Sequence, residues 1–123
     1  GMEQYRKELF EKMKRSHFFW SYSEDIEFED VSEEILVETA LKYGDVDDIE
    51  RLFACYDYAD ILDAWAKRLL FDKRFDKLNF YLSKIFFDID LSQMRQEMAR
   101  YDRANKLGML ASQDRIGAEQ SDR

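Results

Sequence analysis

The chain has no proline, a single cysteine, a single histidine and four glycines among its 123 residues. Average usage would supply about six prolines, and their absence removes the strongest helix breaker from every segment. Cys55 alone excludes a disulfide framework within the chain and fits a reducing cytoplasm. His17 alone leaves no H-E-x-x-H motif and no zinc site of the usual types. Neither G-x-x-x-x-G-K-[ST] nor G-x-G-x-x-G occurs, so no glycine loop cradles a phosphate. No apolar run approaches 18 residues, which argues against a membrane span, and the polar first 15 residues argue against a signal peptide. Gly1 ahead of Met2 reads as a scar of tag removal. Any catalysis would rest on Asp, Glu and Tyr alone, and no spacing points to it. The expectation is a non-enzymatic, cytoplasmic protein with no cofactor and no metal.

What remains is 46% hydrophobic, 15% aromatic and carries a formal charge of -8. A chain of this length buries roughly two-thirds of its unfolded surface, enough for a core without a disulfide or metal. Tyr5, Leu9 and Met13 recur every four residues in a charged first helix, whose thin stripe predicts weak packing. The run His17, Phe18, Phe19, Trp20 and the acidic stretch 24–30 read as an extended connector pinned by its aromatics. From Ser32 the pattern turns helical, with Ile35, Leu36, Thr39, Ala40 and Tyr43 on one face and Gly44 as a left-handed stop. Asp45 caps a third helix bearing Ile49, Leu52, Phe53 and Tyr56, and a fourth bears Leu62, Trp65, Ala66 and Leu69. Behind Asp72, the stripe Phe71, Phe75, Leu78, Leu82, Ile85 and Phe86 is the strongest in the chain. A sixth helix behind Asp90, with Leu91, Met94, Met98 and Tyr101 as its buried edge, is expected to fade near Leu107 and Gly108. The prediction is an all-α, irregular bundle of five or six short helices in a single domain over 1–110, with its core at about 17–90. Residues 111–123 are expected as a loosely ordered tail.

Charge is unevenly placed. Residues 24–63 hold 15 acids against Lys42 and Arg51, a net of -13, whereas 64–87 hold six bases against Asp72 and Asp76, a net of +4. On a helical wheel, Lys73, Lys77, Tyr81 and Lys84 form a basic strip opposite the Phe75, Leu78, Leu82 stripe. The plain reading is a solvated outer face. A sharper one is a trihelical, DNA-binding regulator over 45–57, 60–70 and 72–87, which a net charge of -8 disfavours. The carboxylates Asp45, Asp47, Asp48 and Glu50 lack the rest of a cation loop and read as a helix cap. Cys55 lies in an apolar helix without a neighbouring base and reads as an inert thiol. His17 reads as structural, with one ring nitrogen on a backbone carbonyl and its ring beside Phe18.

Nineteen aromatic residues, ten Phe, seven Tyr and two Trp, are more than a small bundle hides easily. Phe18, Phe19 and Trp20 cannot all enter one core from an extended run, so one of them is free to anchor a partner. The features FFW at 18–20, the acids before Ile26 and Phe28, ILVETALKYGDVDDIERLF at 35–53 and KLNFYLSKIF at 77–86 together cover about 60% of the chain. Over 17–90 the chain resembles an all-helical bacterial family of antitoxin-like proteins. Its genes often neighbour nucleotidyltransferase-type toxins of the abortive-infection AbiEii class. The resemblance implies a protein partner, a nucleotidyltransferase-like toxin, and brings no catalytic residue. The leading expectation is therefore a protein-binding module using Phe18, Phe19, Trp20, Glu29, Asp30, Glu33 and Glu34, its acids complementing a basic surface. Exposed aromatics also permit a homodimer.

Overall fold

A computed structural model describes the backbone of residues 1–121 and the side chains of residues 1–112. Among them the chain is all-α, with no strand. The helices are α1 (Met2–Arg15), α2 (Glu33–Tyr43), α3 (Val46–Cys55), α4 (Tyr58–Arg68), α5 (Asp76–Leu82) and α6 (Leu91–Ser121). Single 3-10 turns occupy Phe28–Asp30 and Lys73–Phe75, and a π-helical turn occupies Ser83–Phe87. The residues group into two units, Gly1–Tyr81 and Leu82–Arg123.

Local chemistry starts these helices where the sequence places small polar residues. The Ser32 hydroxyl accepts from the Ile35 N–H at 3.2 Å, and the Asp90 carboxylate accepts from Gln93 N–H at 2.8 Å. Asp45 and Asp48 form a reciprocal capping box: the Asp48 N–H donates to Asp45 at 2.8 Å and the Asp45 N–H to Asp48 at 3.1 Å. The Asp48 N–H also holds the Asp45 carboxyl below its usual range. Gly44 ends α2, but not as a left-handed stop, because its φ of -69° is one any residue adopts. Its glycine is required by proximity. A Cβ there would stand 2.5 Å from the Ala40 carbonyl oxygen and 2.9 Å from the Asp48 Cβ.

In the first unit α2 packs on α4 and α3, and α3 packs on α1. Leu9, Phe10 and Met13 of α1, Leu36, Val37 and Leu41 of α2, Ile49 and Leu52 of α3, and Ile61 and Trp65 of α4 are buried. The first helix is thus firmly docked, contrary to its thin stripe, since Phe10 adds a large apolar group and charged side chains cross to α3. The Arg6 Nε donates to the Cys55 carbonyl at 2.9 Å, and its guanidinium lies 4.4 Å from the Tyr56 ring centroid. Lys12 pairs with Asp48 at the other end of α3. Six residues of α1 and seven of α3 span about 9 and 10 Å at 1.5 Å per residue, so the two ties set the helices antiparallel and in register. Burial pushes the Tyr56 hydroxyl up to about 12.

The end of α4 is closed by a side chain from α5. The Trp65 Nε1–H donates to Asn79 Oδ1 at 2.9 Å, and the Asn79 Nδ2 donates to the Leu69 carbonyl at 2.8 Å. Trp65, Leu69 and Asn79 have no solvent exposure.

The stripe expected over 71–86 is not realised as drawn. Phe71 and Ile85 are exposed, Phe75, Leu78 and Phe86 are half-buried, and Leu82 alone is fully covered. The reason is backbone type: α-helix holds only over Asp76–Leu82, and the wider turn at Ser83–Phe87 rotates the later residues out of a 100° register. Ser83 and Phe87 are buried in their place. In the second unit Asp88 takes a left-handed φ of 51°, after which α6 begins. The last helix runs through Gly108 to Ser121, about 46 Å at 1.5 Å per residue, rather than fading near Leu107. A single glycine lowers helix stability by only about 1 kcal/mol and does not stop one by itself. The tail expected at 111–123 falls, for the side chains of 113–123, outside the described residues.

Asn79→Ala takes the acceptor from a buried indole N–H, worth about 1–3 kcal/mol, and one of two donors from the Leu69 carbonyl, which keeps the Asp72 N–H at 3.0 Å. Urea unfolding of this variant should show a loss of about 2 kcal/mol; a loss under about 1 kcal/mol would mean that the bridge is not what closes α4.

Candidate functional site

Clustered carboxylates are the first feature to test for chemistry. Asp45, Asp47 and Asp48 bring oxygens within 4.8 Å of one another. Lys12 enters this group from α1, pairing with Asp48 and lying 3.8 Å from Asp45, while Arg51 pairs with Asp47 at 3.2 Å. Two side-chain cations therefore neutralise much of the cluster, and of the four acids read as a cap Asp45 and Asp48 form it, while Asp47 pairs with Arg51.

The segment after α1 is a set of tight turns, not the extended connector expected. His17 has φ 64°, in the left-handed region. Its N–H donates to the Lys14 carbonyl at 3.0 Å and the Phe18 N–H to the Met13 carbonyl at 3.1 Å, which is a Schellman stop with histidine in the place usually held by glycine. The imidazole is exposed, and it is the His17 backbone that stops α1. Lys14 Nζ donates to the Ile26 carbonyl at 2.7 Å, fastening the far side of the loop to the helix. The tyrosine N–H of Tyr22 closes a further turn on the Phe19 carbonyl at 2.9 Å.

This turn separates the three aromatics assigned together as partner-binding. Phe19 is buried, its ring 5.1 Å from Phe10 and 5.9 Å from Tyr22, so it belongs to the core and is withdrawn from the docking set. Phe18 is half-buried and lies 6.2 Å from the Tyr43 ring. Trp20 is 71% exposed and borders a recess of 400 Å³ shared with Lys14, His17, Tyr22, Glu24 and Ile26.

The four predicted acids also divide. Asp30 accepts from the Glu27 N–H at 2.9 Å and caps its own turn, and Glu29 stands 4.0 Å from Lys7. Glu33 and Glu34 meet Asp60 and Asp63 along a groove of 260 Å³ between α2 and α4. Arg68 bridges Glu34 at 2.7 Å and Lys67 bridges Asp63 at 3.0 Å, and each cation's pKa is raised by its carboxylate. Four acids against two bases leave the groove negative. Asp60 and Asp63 were missed because they follow Glu33 by 27 and 30 residues; only their share in the 24–63 acid excess signalled them.

The residues of the basic strip are exposed but sit in different backbone types. Lys73 lies in a 3-10 turn, Lys77 and Tyr81 in α5, and Lys84 in the π-helical turn of the second unit. Cys55 is buried at the floor of a groove between α1 and α3, and burial raises its thiol pKa, which favours the unreactive form. Comparison with family models, with curated proteins and with solved structures finds no match for this chain.

Replacing His17 by glycine relieves a left-handed strain of about 1–2 kcal/mol and gives back part of it as unfolded-state entropy. Thermal and urea unfolding of His17→Gly should show a net gain of about 0.5–1 kcal/mol, and His17→Val a loss of at least that size. A loss in the glycine variant would assign the imidazole a contact beyond stopping the helix.

Proposed function

We propose that this chain is a protein-docking module that anchors on a partner through Trp20. The observation that carries the reading is the 71% exposed indole on a turn whose neighbours are locked by the Schellman stop, the Lys14 bond and the buried Phe19 ring. Tryptophan is the residue type most enriched at interface hot spots, and a side chain held on a rigid turn loses little freedom on docking. The negative groove of Glu33, Glu34, Asp60 and Asp63 supports a basic partner surface, for which it would raise the rate of encounter. The resemblance to antitoxin-like proteins suggests a nucleotidyltransferase-like toxin, whose nucleotide-handling surface the module would cover in the cytoplasm. In this reading the module acts by occlusion and not by chemistry of its own.

The test uses the tagged chain and its Trp20→Ala variant as baits in a lysate of their own source, at low and at moderate salt. The eluates are examined by mass spectrometry and by a nucleic-acid assay. The expected result is a stoichiometric protein partner that moderate salt weakens and that Trp20→Ala loses by at least tenfold, with helicity unchanged. Equal capture by both baits would remove Trp20 as anchor. An eluate of DNA without protein, lost on replacing Lys73, Lys77 and Lys84, would overturn the docking reading in favour of a regulator.

A further inference from the structure

The groove between α1 and α3 measures 430 Å³, and its walls are Met2, Tyr5, Glu8 and Leu9 on one side and Arg51 and Ala54 on the other. Tyr5, Leu9 and Met13 form one stripe of α1, yet only its second half is covered. Leu9 and Met13 are buried, whereas Tyr5 is 60% and Met2 52% exposed. The groove is also preformed, since Arg6 ties α1 to the end of α3 just beside it.

We propose that a second copy of this chain closes this groove, in a twofold dimer built from α1 and α3 of both copies. The occupant is argued from charge. The chain carries a net charge of -8, and its acidic 24–63 region repels the same region of another copy. The α1–α3 face is different: α1 holds five bases and three acids, α3 holds one base and three acids. With Lys12 and Asp48 paired inside each copy, the two helices keep five bases and five acids, so the face is neutral, and a twofold axis running along the groove sets α1 of one copy over α3 of the other. Within the groove the acid stands on one wall and the base on the other. The same axis places each Glu8 opposite Arg51 of the second copy, whose guanidinium holds Asp47 through Nε and would take Glu8 as a second carboxylate, giving two pairs from one operator while the exposed Tyr5 and Met2 side chains fill the apolar centre. A self-complementary patch of this kind suits an isologous contact and has no special fit to an acidic or a basic stranger.

The experiment is light scattering coupled to size exclusion on the intact chain over a concentration series, with circular dichroism as the folding control. The mass should rise from 14.9 kDa towards twice that value with concentration. Tyr5→Glu should hold the protein at monomer mass, and Glu8→Arg or Arg51→Glu alone should raise the dissociation constant at least tenfold. The double exchange Glu8→Arg with Arg51→Glu should recover the dimer, which separates a lost contact from a lost fold. A parent chain of monomer mass at every concentration overturns the proposal. So does a dimer that survives Tyr5→Glu, or a folded double exchange that stays monomeric.

Discussion

The arrangement of the first unit depends on one buried charge. The Asp48 side chain has no solvent exposure, and an ionised carboxylate taken out of water is destabilising unless counter-charge and hydrogen bonds replace hydration. Both come from separate parts of the chain. Lys12 brings its ammonium from α1, and the Asp45 backbone N–H arrives from the junction of α2 and α3. Gly44 leaves the room this requires, since any Cβ there would collide with Asp48 and with the Ala40 carbonyl. One side chain thus fixes the end of α2, the start of α3 and the lower half of α1.

Once α1 is placed, the turn that follows it is determined by short-range contacts. Phe10 offers its ring to Phe19 and Phe28, with centroids 5.1 and 5.9 Å away, and Lys14 holds the Ile26 carbonyl. With Phe19 drawn inward and the helix stopped at His17, Trp20 is displayed and not buried. The proposed anchor is therefore a by-product of core packing. The negative groove arises on the α2–α4 side of the same unit, where Arg68 and Lys67 offset only part of its charge.

Features that depend on neighbours in sequence were legible from residue types. The caps Ser32, Asp45 and Asp90, and the helices behind them, follow from hydrogen bonds spanning three residues. Contacts across long separations were not legible, because no periodicity reports them. Lys12 and Asp48 are 36 residues apart, and a helical wheel assigns both to the outside. Gly44 was legible as a helix end but not as a close approach. The stripe over 71–86 failed because a wheel assumes constant twist, and 3-10 and π turns break it on both sides of α5. The aromatic run was read as extended, so the choice of Phe19 for the core and Trp20 for the surface could not be made. That choice follows from the left-handed φ at His17, which residue identity alone signals weakly.

The dependence of α1 and α3 on the buried pair is tested most directly by a double-mutant cycle of Lys12→Met and Asp48→Asn, followed by urea unfolding. Lys12→Met alone strands a buried carboxylate and should lose about 3–5 kcal/mol. The cycle should return a coupling of about 2 kcal/mol or more between the two side chains, with the double variant more stable than the sum of single losses allows. Losses that add to within about 0.5 kcal/mol would contradict the account, and would mean that apolar packing by Leu9, Phe10 and Met13 holds α1 without the pair.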